Sequence, residues 1–134
     1  MKRFHLIFGV IVIVVFLLTG QYMDRYHQHL MHMADGPRLL YRTRHIFILM
    51  SGLLHLGIGS YFNYRPSKGR RVCQIAGSIM ITIGSVLFTI GFFYEPGLQE
   101  LYAPLSKIGV ILTAIGALLH LLSGLRVTGG STGV

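Results

Sequence analysis

The chain has one cysteine, four prolines and only four acidic residues, and charged side chains of both signs make up 12% of its 134 residues. A single thiol, Cys73, excludes an internal disulfide and a thiolate metal cage. No paired carboxylates, Ser-His-Asp order, phosphate-binding glycine loop or HExxH helix can be read in the sequence, so it offers no identifiable catalytic machinery.

What the chain has in abundance is long apolar runs. Hydrophobic residues make up 52% of it, and the mean hydropathy is +0.61. Four stretches of about 17 to 22 residues, at 4–20, 45–62, 72–93 and 105–125, are each long enough to cross a bilayer. Every Lys, Arg, Asp or Glu lies outside these stretches or at their rims. The pattern predicts an all-α integral membrane bundle of four transmembrane helices arranged as two helical hairpins. It forms one domain over 1–127, with a disordered Gly/Ser/Thr tail over 128–134. The basic start Met1-Lys2-Arg3 followed by an apolar run also resembles a signal peptide. Leu18-Thr19-Gly20, however, puts a large residue where cleavage prefers a small one, so an uncleaved first helix is expected.

A net charge of +8 in a soluble protein would suggest nucleic acid. Here the cations sit in short loops, where Lys and Arg set membrane orientation, and the expected counter-charge is anionic lipid headgroups. Lys2, Arg3, Arg65, Lys68, Arg70, Arg71 and Arg126 fall on one side, against Arg25, Arg38, Arg42, Arg44 and Lys107 on the other. This predicts both termini in the cytoplasm of a bacterial inner membrane. Asp35-Gly36-Pro37 and Glu95-Pro96-Gly97 punctuate the two outer connections. Residues 21–34 contain no Pro or Gly, so the first helix is expected to project about 20 Å past the membrane at 1.5 Å per residue.

Lipid gives one helix no hydrophobic reason to prefer another helix over acyl chains, so small residues mark the contact faces. Gly77, Gly84 and Gly91 recur every seven residues, flanked by Ser78, Thr82, Ser85 and Thr89. Gly109, Thr113, Gly116, Ala117 and Ser123 of the fourth helix, with Ser51, Gly52 and Gly59 of the second, are expected to answer them. Arg38, Arg42, Arg44 and His45 begin the second helix and read as interfacial anchors.

Two places carry candidate chemistry. His55 and His120 share a Leu-Leu-His-Leu setting and are expected at equal depth, an arrangement that could ligate a haem b iron from both sides or simply bond helices together. Gly59 and Gly124 would leave room for the macrocycle. His27, His29, His32, Met31 and Met33 gather in an outer segment whose imidazoles and thioethers suit copper, with His29 and His32 on one face if it is helical. No carboxylate lies within a span, which argues against a proton-coupled antiporter of the usual kind. The first reading is therefore an accessory or interaction subunit, meeting a membrane-protein partner or a second copy of itself. The alternatives are a bis-histidine haem b electron carrier and a metal-binding membrane protein.

Overall fold

A computed structural model describes residues 1–98 and 103–125; the expected tail and Arg126 lie outside them. Among the described residues the fold is all-helical, with four helices: α1 (Lys2–His27), α2 (Asp35–Tyr61), α3 (Lys68–Tyr94) and α4 (Pro104–Gly124). Short 3₁₀ turns follow α1 and α3, at Gln28–Leu30 and Glu95–Leu98. Pro37 and Pro104 fall in first turns, where the missing N–H costs nothing.

Three helical segments are long and apolar enough to cross a membrane: Lys2–Leu30, Lys68–Leu98 and Pro104–Gly124. The sequence pattern suggested four. α2 falls short because its apolar run begins only after Arg44 and carries His45 and His55 within the stretch that ends at Tyr61.

The first helix does not continue to residue 34. It stops at His27, where Gln28, His29 and Leu30 all take positive φ (44°, 55° and 65°) and turn the chain back. The absence of Pro and Gly misled the reading here, because the reversal is held from outside. Arg38 donates to the carbonyls of Leu30, Met31 and Met33, of which Leu30 also accepts from the Met33 amide.

α1 packs along α2 and α3 along α4, and the two pairs meet chiefly through α2 and α3. Glycine sets the approach within each pair. A Cβ on Gly77 would lie 2.7 Å from the Gly116 carbonyl oxygen, and one on Gly116 would lie 2.7 Å from the Gly77 carbonyl oxygen. Gly84 similarly faces Thr113 and the Gly109 carbonyl, and Gly91 faces Ser106 and Glu95. Gly52 and Gly59 do not face α3 as expected. They receive Val12, Ile13 and Leu6 of α1, while Gly9 of α1 receives Leu56.

The interior is small and polar. Thr19, Ser51, Ser78, Ser85, Ser106 and Ser123 are buried with His5, His55, Arg44 and Glu95, around a modest apolar set that includes Ile48, Ile81, Phe88 and Phe92. Large apolar side chains instead crowd the outside, among them Ile7, Val10, Leu17, Ile79, Ile111 and Leu118. Most buried hydroxyls bond back to their own helix, as Ser78, Thr82, Ser85 and Thr89 do along α3.

Candidate functional site

Two buried polar clusters occupy opposite ends of the bundle. The first forms where Met1, the α2–α3 connection and the end of α4 come together. His5 on α1 has both ring nitrogens engaged: Nδ1 lies 2.8 Å from His55 Nδ1, and Nε2 lies 2.8 Å from Ser78 Oγ. Ser78 Oγ also lies 3.0 Å from His120 Nε2. His5 and His55 are fully buried, and His120 is half-buried at the wall of a cleft of about 150 Å³ lined by Asn63, Arg65, Gln74 and Ser123. Gln74 closes the loop above by donating to the Asn63 carbonyl and accepting from the Arg65 amide. The Met1 ammonium, 3.2 Å from the Tyr64 hydroxyl, ties the N-terminus to the same end.

The pair His55 and His120 thus comes to one cluster, but not as a haem site. A bis-imidazole haem needs two bare nitrogens facing across a flat slot. Here the His5 ring and Ser78 fill the space between the two rings, and His55 spends Nδ1 on His5. Gly59, expected to leave room for a macrocycle, is covered by Leu6, whose backbone nitrogen would lie 2.9 Å from an added Cβ. Gly124 faces Arg65. These residues do not fit haem. The signal overlooked was His5, a third imidazole at the head of the first apolar run, which the Leu-Leu-His-Leu comparison between the second and fourth helices did not include.

The second cluster joins three elements through one carboxylate. Glu95, fully buried after α3, accepts from Arg44 Nε of α2 at 2.7 Å, and from the backbone N–H and hydroxyl of Ser106 at 2.9 and 2.5 Å. The Ser106 amide is in the first turn of α4, whose own Ala103 provides no side-chain cap. Glu95 therefore caps α4 from another element and places negative charge at the positive end of its dipole. Arg44, read from the sequence as an interfacial anchor, is buried, and its Nη1 donates back to the Leu40 carbonyl. Glu95 still lies outside the 72–93 stretch, so no carboxylate falls within an expected span, yet it is buried. Glu95 sits just past an apolar run, and only the return of α4 beside α3 encloses it.

The three outer histidines do not converge on one point. His29 pairs with Asp24 at 2.7 Å and is exposed; His27 packs between the Tyr22 and Tyr41 rings; His32 shares a shallow surface pocket with His27 and Met33. Because the chain reverses through left-handed residues at 28–30, His29 and His32 share no helical face. No group of three His, Cys, Asp or Glu side chains placed to hold a metal ion forms among the described residues.

No protein-family model, curated protein or solved structure matches this chain.

Proposed function

We propose that the chain is an integral protein of the bacterial inner membrane, with all four helices crossing and both termini cytoplasmic. In this reading it is an accessory subunit that receives a partner's transmembrane helix. Its inverted build supports the membrane placement, since an outside of large aliphatic side chains around a polar, glycine-lined inside suits lipid as solvent. With no charged residue on its lipid-facing flank except near the ends, α2 crosses best with protein on at least one side.

The observation that carries the reading is a trough between α2 and α4, which flank α3 without packing along one another. A cavity of about 520 Å³ lies between Met50, Leu54, Phe88, Thr113, Ala114 and Ala117. It continues past Phe47 and Val110 into a second of similar volume that reaches Thr43 and Lys107. From Thr43 to Leu54 the trough runs about 16 Å at 1.5 Å per residue, a length that suits a helix. Ala114 and Ala117 keep its wall low enough for close backbone approach, and Lys107 at its outer end suits a carboxylate on the arriving helix. Anionic headgroups meet the basic connection at 65–71 on the other side.

A photo-cross-linking residue at Ala114 should join the protein to one discrete membrane-protein partner, while the same residue at Ile115, outside the trough, should label lipid. Lys107→Glu should weaken the Ala114 product. Equal lipid labelling at both positions would refute an occupied trough, and a product of twice the chain's mass would make the occupant a second copy.

A further inference from the structure

The cluster at the cleft end admits two hydrogen-bond orders. Ser78 has one hydroxyl proton and three neighbours: the Gln74 carbonyl at 2.9 Å, His5 Nε2 and His120 Nε2. If that proton goes to Gln74 or to His120, His5 must carry its proton on Nε2, and His55 must donate from Nδ1 to His5. His55 Nε2 is then a bare lone pair. That nitrogen is buried and has no hydrogen-bond partner.

The other order gives up the Ser78 bond to the Gln74 carbonyl and sets the four side chains in series. His120 Nε2–H donates to Ser78 Oγ, Ser78 Oγ–H donates to His5 Nε2, and His5 Nδ1–H donates to His55 Nδ1, which leaves the proton of neutral His55 on Nε2. Every donor then runs the same way, from the cleft inward, and bonds aligned in series strengthen one another. His120 Nδ1 is the nitrogen left over to meet the cleft.

We propose that His120, Ser78, His5 and His55 form a proton wire that connects the aqueous cleft beside Arg65 with the bundle interior, with His55 as its inner end. A proton accepted at His120 Nδ1 releases the Nε2 proton to Ser78. The serine passes its own proton to His5 Nε2, and His5 passes its Nδ1 proton to His55 Nδ1. One proton enters and one ring, His55, ends doubly protonated; nothing is oxidised or reduced, and the reverse sequence returns the proton. Each gap is already a hydrogen bond of 2.8 to 3.0 Å. The titratable or charged groups facing the cluster are the Met1 ammonium from α1, Tyr64 and Arg65 from the α2–α3 connection, and Arg71 of α3 across the Tyr64 ring. From α3 the inner contact is the neutral Gln74, and from α4 only His120 among the described residues. These cations surround the mouth of the cleft.

Nitrogen NMR of ring-labelled histidines, with the full chain in lipid nanodiscs, tests the wire. His5 is expected as the Nδ1–H form with a bare Nε2, and His55 and His120 as Nε2–H forms. The buried His5 and His55 ring protons should exchange with water in the wild type. That exchange should be lost in Ser78→Ala, while His120 continues to exchange. His5 found as Nε2–H, or exchange at His55 unaffected by Ser78→Ala, would overturn the proposal. If Ser78→Ala does not fold, Ser78→Cys, which keeps a weaker donor at the same point, should give slowed exchange at His55; unchanged exchange there refutes the wire.

Discussion

Replacing Glu95 by alanine is expected to be the most damaging single change in the protein. It leaves the Arg44 guanidinium buried without its partner and strips the first turn of α4 of its cap. Removing one member of a buried ion pair costs about 3–5 kcal/mol, most of it the uncompensated charge. Three elements meet at this carboxylate, so the loss should appear as a large drop in thermal stability in detergent. The paired change Arg44→Met with Glu95→Leu removes both charges and should recover most of it, because an apolar pair of similar volume is often as stable as the ions it replaces. If Glu95→Ala melts like the wild type, Glu95 does not hold α2, α3 and α4 together.

The second large effect is expected at Gly84. A Cβ there would collide with the Thr113 hydroxyl and lie 2.9 Å from the Gly109 carbonyl, so the new atoms meet backbone that cannot move aside. Gly84→Leu should push α3 off α4 and cost on the order of 1–3 kcal/mol, the usual range for overpacking. Gly57→Leu is the internal control. Nothing lies within 4 Å of a Cβ on Gly57, so the same change should be silent or slightly stabilising through helix propensity. Equal melting of the two variants would place the Gly84 face away from α4.

Helix content and the glycine spacing of α3 were legible because both are periodic signals carried by one helix at a time. Partner choice was not: Gly52 and Gly59 look like the α3 glycines in sequence, yet face α1, since the register between two helices is set by both. The end of α1 was missed for a similar reason. Its left-handed residues are Gln28, His29 and Leu30, and the side chain that stabilises the reversal, Arg38, comes from the next helix. Both polar clusters also depend on residues far apart in the chain. Arg44 and Glu95 each read as rim residues, and they become a buried pair only when α2 and α3 lie side by side. His5 fell inside the first apolar stretch without a role of its own and proves to be the central ring between His55 and Ser78.

The account rests on a bundle set in lipid with its two clusters toward opposite faces, the His5–His120 end inside and the Arg44–Glu95 end outside. The most direct test labels single cysteines in spheroplasts with a membrane-impermeant maleimide, in a chain whose Cys73 is changed to serine. Ala34 and Ser67 are exposed and sit at the starts of α2 and α3, so each accepts cysteine without disturbing a side-chain bond of its own. The account predicts that Ala34→Cys is labelled in intact spheroplasts, and Ser67→Cys only after the membrane is opened. Labelling of both from the outside, or of Ser67→Cys alone, would contradict it.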